Sequence, residues 1–137
     1  MKSAENKYFK NVNFTSEQIK DYFNNAVKTL KIAGDNNSPE VKFDYAYKAL
    51  IKAGITVIAA VKNAKVRSIQ GHHIKIIETL SVILKDDTVN VVGNAMRAAR
   101  NLDLYCGGKE ISEKQSVDYY NFVKKIIAKA KLLLENK

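Results

Sequence analysis

Residues that break helices are scarce in this chain. It has a single proline, Pro39, and only six glycines among 137 residues. A fold built of short strands needs many turns, and turns draw mainly on glycine and proline. The scarcity therefore argues against a strand-and-turn fold and predicts long helices. Because 46% of the residues are apolar, the chain can bury one substantial core, and its length fits one domain.

Cysteine is nearly absent. The one cysteine, Cys106, excludes an internal disulfide and agrees with a reducing compartment. It falls on the apolar face at the end of a predicted helix. We interpret it as a small buried hydrophobic residue and not as a nucleophile.

Long hydrophobic runs are also missing. The longest run, from Ile55 to Val61, is bounded by Lys52 and Lys62, and it is far shorter than the roughly 20 residues that span a bilayer. Residues 1–7 show no hydrophobic run of the kind that marks a secretory signal. We therefore expect a cytoplasmic protein with no membrane partner.

Negative charge is the minority, and arginine is the rarer cation. Lysine and arginine total 23 against 14 acidic residues, which gives a formal charge of +9. Only three of the 23 are arginines. Such an excess favours encounters with polyanions, but lysines spread along the chain are at least as typical of a solubilising surface. Charge alone leaves nucleic-acid binding open.

The first helix is announced by a capping box. Residues 1–14 keep no clean period and predict a loose or short helical lead-in. Thr15 then stands three residues before Gln18, the pattern in which each side chain caps the other's backbone. Apolar residues at helical spacing follow, so a helix is predicted over about 16–33, ending at Gly34.

The second helix has the clearest start. In Ser38-Pro39-Glu40 the serine caps, the proline fits the first turn, and the glutamate suits the positive end of the helix dipole. The helix should reach about residue 64. Its apolar stripe includes Gly54, where the missing side chain predicts close approach by another helix.

Three more helices follow. One is predicted over about 71–85, the next between Asp86-Asp87 and Gly107-Gly108, and the last over about 113–135, where Ser112 and Gln115 form a second capping box at its start. The last is apolar on two faces, so it should be central or shared with another subunit. Helices joined by short loops predict an all-α, up-and-down bundle of about five helices, forming a single domain over residues 1–137.

Two of the three arginines lie one turn apart on the fourth helix. The helical wheel places Arg97, Arg100 and Asn101 on one flank, half shielded by neighbouring helices, with Tyr105 on the far side. Arginine offers phosphate a planar fork of donors, so this flank is a candidate phosphate or nucleotide site. The alternative is that Arg100 pairs with Asp103 and covers apolar surface with its stem.

A second polar group comprises Arg67, His72 and His73. Adjacent histidines could serve acid–base chemistry near neutral pH. A metal site is not expected, because neighbouring helical residues point about 100° apart and no cysteine or paired carboxylate joins them. The histidines could equally cap a helix, pair with Glu78 or face solvent.

The segment Arg100-Asn101-Leu102-Asp103-Leu104-Tyr105 resembles the signature of the HEPN superfamily of small, all-helical bundles. That signature is an arginine, often followed by asparagine, then a short spacer and a histidine in a late helix. Arg100-Asn101 matches its opening, and Tyr105 stands at the histidine position. A subset of HEPN-like proteins carries tyrosine there with glycine following, and this chain is similar to that subset. The order of helices agrees as well.

The resemblance implies one of two roles. Many HEPN proteins are metal-independent ribonucleases that act as homodimers, in which the histidine handles protons and the arginine steadies phosphate. Others are partners of minimal nucleotidyltransferases, often in toxin–antitoxin pairs. By this resemblance Arg100 would contact phosphate and Asn101 would orient the site. Tyr105 replaces histidine poorly, because an unperturbed phenol titrates near pH 10.

We therefore predict a dimeric, HEPN-like bundle that binds RNA or a nucleotide through Arg97, Arg100 and Asn101. No metal or other cofactor is expected. The protein could belong to a toxin–antitoxin system or be the partner of a nucleotidyltransferase.

Two alternatives stay open. One is a weak metal-independent ribonuclease, with chemistry carried by Arg100 and Tyr105 or by Arg67 and His72, the latter pair being a second literal match to the arginine–histidine spacing. The other is a non-catalytic structural or interaction module that forms a homodimer.

Overall fold

Over the residues that the structure describes, the chain forms five helices and two short strands. The computed structural model describes residues 7–106 and 111–136, with the backbone alone from 102 to 106. The helices are α1 (Ser16–Gly34), α2 (Pro39–Lys62), α3 (His72–Leu84), α4 (Asp87–Cys106) and α5 (Glu113–Glu135). The strands are β1 (Phe9–Asn11) and β2 (Ala64–Val66). The predicted all-α bundle of about five helices is confirmed.

The predicted start signals form as local hydrogen bonds. The Thr15 hydroxyl accepts from the Gln18 backbone N–H at 3.1 Å, and the Gln18 side chain accepts from the Thr15 N–H at 2.8 Å. Ser112 and Gln115 repeat this reciprocal box at the start of α5, with both distances at 3.0 Å. Each box satisfies two backbone donors that the helix itself leaves unpaired.

The lead-in differs from the prediction. Residues 9–11 are neither loose nor helical but form β1, which pairs antiparallel with β2 so that Phe9 lies opposite Val66. The backbone of Asn63 turns left-handed, with φ 50°, and ends α2 slightly before the predicted residue 64. Phe9 is buried in the core. Pairing between segments this far apart leaves no periodic signal in either three-residue strand.

Helix α2 is the centre of the bundle. It packs against α1, α3, α4 and α5, while α1 also contacts α5 and α3 also contacts α4. The buried stripe of α2 runs from Phe43 through Tyr47 and Leu50 to Val57 and Ile58. The two-faced apolar pattern of α5 left open whether that helix is central. In the structure α5 covers α2 instead, and its contacts extend to α1 and α3.

Charged residues interrupt even the most buried helix, since α2 carries Lys42, Lys48 and Lys52. Within the described ranges, no helix combines the length and apolarity needed to cross a membrane.

Gly54 allows α2 and α3 to approach closely, as its place on the buried stripe predicted. A Cβ on Gly54 would clash with Cγ2 of Ile76, and it would also lie 3.7 Å from the Ile76 carbonyl oxygen and from Cδ2 of Leu80. Ile76 and Leu80 are fully buried. The contact sets the spacing between α2 and α3, and so the position from which α3 presents its histidines.

Replacing Gly54 by valine should lower the free energy of unfolding by about 1 to 2.5 kcal/mol. Overpacking a well-filled core costs about 1–3 kcal/mol, and removing a helical glycine returns a few tenths. Urea denaturation measures the difference. Ala95→Val, at an exposed position on α4, is the matched control and should change stability little. An unchanged Gly54→Val protein would mean that α3 can move away from α2 without cost.

Candidate functional site

Five polar side chains gather where α2, α3 and α4 pack together. Tyr47 comes from the buried stripe of α2, His72 and His73 from the start of α3, and Arg97 and Arg100 from one flank of α4. The Tyr47 hydroxyl lies 3.0 Å from Nδ1 of His73. The guanidinium carbon of Arg100 lies 5.6 Å from the centre of the Tyr47 ring. We call these five residues the arginine–histidine cluster.

Burial and positive charge keep His73 uncharged. Burial, and after it the positive charges of His72, Arg100 and Arg97 in that order of effect, together lower the pKa of His73 to about 4. Burial raises the pKa of Tyr47 to about 12, against the opposing pull of Arg100 and Arg97. Near neutral pH the bond between Tyr47 and His73 therefore joins two neutral groups. The two arginines are left as the fixed charges of the cluster.

His72 is held by the backbone. Its Nδ1 donates to the Ile69 carbonyl at 2.7 Å, which places a proton on that nitrogen. The rings of His72 and His73 meet edge to face, with centroids 4.4 Å apart. Glu78, which the sequence offered as a partner for the histidines, instead pairs with Lys75 at 3.0 Å. Both rings are thus oriented toward the cluster with no carboxylate on α3 engaged with them.

One donor of the Arg100 guanidinium is not hydrogen-bonded to any described residue. Its Nε is buried and has no hydrogen-bond partner among the described residues. Among the described residues, Oδ1 of Asp44 is the carboxylate oxygen paired with it, at 3.8 Å, which is an ion pair but too long for a hydrogen bond. Asp44 is also shared with Lys48, at 3.2 Å. A buried donor without a partner costs about 1–3 kcal/mol of folding free energy. A ligand oxygen that accepted a hydrogen bond from Arg100 would recover this energy on binding.

Among the described residues, Arg97 hydrogen-bonds to a neutral amide and not to a carboxylate. Its Nε donates to the side-chain oxygen of Asn94, one turn earlier on α4, at 3.3 Å. Both arginines are half-buried, so their charges act through a medium less polar than water, where an electrostatic interaction is stronger. A neutral amide leaves the charge of Arg97 uncompensated.

A small cleft borders Arg100 on its other side. Its volume is about 280 Å³, and Glu40, Asp44, Tyr45 and Ile111 line it together with Arg100. Two carboxylates make this cleft unfavourable for an anion. An anion should therefore reach Arg100 from the side of the histidines and Arg97.

The structure brings some of the predicted site residues together and leaves others outside the cluster. It brings Arg97 and Arg100 together with the two histidines, which the sequence treated as a separate group. Asn101 is exposed on α4. The side chains of Tyr105, Asp103 and Cys106 lie outside the described residues, so neither the Arg100–Asp103 pair nor the buried Cys106 is tested.

Arg67 stays apart from the cluster. It lies in the exposed link between β2 and α3, where its backbone N–H donates to the Tyr8 carbonyl at 2.7 Å. In the described part of the chain, no hydrogen bond, ion pair or ring contact joins its side chain to His72. The second arginine–histidine match therefore receives no geometric support.

Sequence reasoning missed Tyr47 and Asp44. Its position on the apolar stripe of α2 makes Tyr47 look like an ordinary core residue in the sequence. The available signal was a hydroxyl on the most apolar stripe of the chain, because a buried phenol needs a hydrogen-bond partner. That signal identifies a partner's existence but not its identity, since His73 lies 26 positions away.

The described residues do not form a set of metal ligands. Across the described side chains, no group of three or more histidine, cysteine, aspartate or glutamate residues lies close enough to hold an ion.

Comparison of the chain with protein-family models, with curated proteins and with solved structures finds no match. The HEPN resemblance therefore remains a prediction that depends on Arg100-Asn101, Tyr105 and the order of helices.

Proposed function

We propose that the protein binds RNA through a backbone phosphate at the arginine–histidine cluster. The observation that carries the proposal is the buried Nε of Arg100, which has no hydrogen-bond partner among the described residues although it lies beside a second arginine. A phosphate oxygen would accept from the guanidinium groups in the forked geometry that arginine favours. The HEPN resemblance adds RNA as the polymer, and the net charge of +9 favours its encounter.

The cluster suits binding better than cleavage. A general acid or base works best when its pKa lies near the working pH. The pKa of His73, at about 4, makes it a weak base at neutral pH, and the pKa of Tyr47, at about 12, makes it a weak acid. We therefore propose that the protein is not an efficient ribonuclease. A homodimer and a nucleotidyltransferase partner also remain proposals, supported by the resemblance alone.

The two histidines offer a direct test. Since the chain contains only two, the nitrogen NMR spectrum of the imidazoles holds four signals that His72→Gln and His73→Gln variants assign. Titration with adenosine monophosphate or a short single-stranded RNA should shift the signals of both rings in a saturable manner. Adenosine, which lacks the phosphate, is the matched control and should leave them in place.

One outcome would count against the site. If the RNA binds, as its own fluorescence anisotropy reports, while both imidazole spectra stay unchanged, the phosphate lies elsewhere on the surface. Equal shifts with adenosine and adenosine monophosphate would also contradict a phosphate site. Intact RNA after long incubation without metal is the expected result for a binding protein, and metal-independent cleavage lost in Arg100→Ala or His72→Gln would favour the ribonuclease alternative.

A further inference from the structure

A second concave surface lies away from the arginine–histidine cluster, between α1 and α5. Its volume is about 910 Å³, which falls within the range of roughly 300–1,000 Å³ for small-molecule pockets. Helix α2 contributes Ala59 and Ala60 to it, and Asn63 follows directly after that helix. The short alanine side chains leave open the space between the flanking helices. We call this surface the α1–α5 groove, and neither α3 nor α4 contributes a residue to it.

Large apolar side chains form the walls. From α1 and the segment before it come Phe14, Ile19, Phe23 and Val27, and from α5 come Ile127 and Leu134. Val27 is 41% exposed, so part of this apolar wall is open to solvent. Burying such surface against an apolar chain is favourable in proportion to the area removed from water.

The rim of the groove is positively charged. Lys20 lies on the α1 side and Lys124 and Lys131 on the α5 side, against the single carboxylate of Glu135. Lys124 and Lys131 are two turns apart, about 10 Å along the same face of α5. Within the described ranges, no ion pair or hydrogen bond engages the ammonium group of any of the three lysines. The rim is therefore complementary to an anionic group placed beside an apolar body.

We propose that the α1–α5 groove binds a free fatty acid, with the acyl chain between α1 and α5 and the carboxylate at the lysines. Apolar walls with a cationic rim match the two halves of such an amphiphile. The volume of the groove suits a small molecule. This site is independent of the proposed phosphate site, because the two surfaces share no residue.

Isothermal titration of the full chain with dodecanoate, kept below its micelle concentration, tests the proposal. We expect one molecule bound per chain. Affinity should fall about fourfold for each methylene removed on going to octanoate, the factor that corresponds to burying one methylene. Dodecyltrimethylammonium has a comparable chain and the opposite charge, and it should bind more than tenfold more weakly than dodecanoate.

Two sets of variants locate the site. Ala128→Trp places a large ring in the groove from an exposed position on α5, and it should abolish dodecanoate binding. Ala95→Trp, at an exposed position on α4 outside the groove, is its control. Lys124→Ala/Lys131→Ala should weaken binding about tenfold, whereas Lys28→Ala/Lys125→Ala, which removes equal charge outside the groove, should not.

Three results would overturn the proposal. The first is an absence of dodecanoate binding to the folded wild-type protein. The second is binding that survives Ala128→Trp, because the ligand would then lie elsewhere. The third is a concentration-dependent dimer that Ala128→Trp dissociates, because a second copy of the chain would then occupy the groove. Thermal unfolding of each variant checks that it is folded, and the lysine pair provides a test that does not alter packing.

Discussion

Replacing Arg97 and Arg100 together by alanine should weaken RNA binding by about hundredfold. Each charge-assisted hydrogen bond to a phosphate contributes about 1.5–3 kcal/mol, and the variant removes the guanidinium groups that would make them. Fluorescence anisotropy with a short single-stranded RNA, measured over a salt series, reports both affinity and electrostatics. The slope of log affinity against log salt should fall by about 0.7 for each phosphate that the variant no longer neutralises.

The control must remove the same charge from another place. Lys28 and Lys125 are exposed on α1 and α5, and neither borders the cluster. Lys28→Ala/Lys125→Ala lowers the net charge as much as the arginine pair does. Equal losses of affinity in the two double variants would show that binding is due to diffuse charge, and the arginine–histidine cluster would then have no special role.

The unfolding free energy should fall by about 2 kcal/mol as the pH drops from 6.5 toward 4, because His73 is uncharged in the folded protein. The pKa of His73 is lowered to about 4 by burial and by neighbouring positive charge, against about 6.5 in an unfolded chain. Between pH 6.5 and pH 4 the His73 imidazole is largely protonated in the unfolded state and largely neutral in the folded state, so stability falls as pH falls. The full difference in pKa corresponds to about 3.4 kcal/mol, and partial exposure of the ring reduces it.

Urea denaturation at several pH values measures this loss. His73→Gln keeps a group that can hydrogen-bond Tyr47 but cannot titrate, so its stability should vary much less between pH 6.5 and 4.5. The neighbouring His72→Gln is the matched control and should retain the pH dependence. Asp86 loses its stabilising charge only at lower pH, because its bonds to Lys129 and Thr88 hold its pKa near 2. A His73→Gln protein as acid-sensitive as the wild type would contradict a neutral, buried His73.

The helices could be predicted from the sequence because their signals are local. The capping boxes at Thr15 and Ser112 and the Ser38-Pro39 start each involve residues within one turn, and the structure forms all three. Gly54 was recognised because a glycine on an apolar stripe has one physical use, close approach. The strand at residues 9–11 was missed, since its partner is more than fifty positions away and neither strand has a pattern of its own.

The candidate site was predicted in halves. The half-shielded flank of α4 that carries Arg97 and Arg100 follows from helical spacing, whereas Asn101, predicted to be half shielded with them, is exposed. That His73 meets these arginines does not follow, because it depends on how α3 crosses α2. Tyr47 became part of the site only through that crossing. The sequence also suggested Arg67 with His72, and among the described residues no hydrogen bond or ring contact joins these two side chains.

The sequence by itself therefore determined the number of helices, their ends and the polar flank of α4, because hydrogen bonds and side-chain periodicity within one helix are encoded in neighbouring residues. Only the tertiary structure decided that α2 is the centre of the bundle and that His73, Tyr47 and two arginines share one half-buried place. It also decided that α1 and α5 leave an open groove above Ala59 and Ala60. These features depend on which faces pack together, and packing joins residues whose distance along the chain carries no signal.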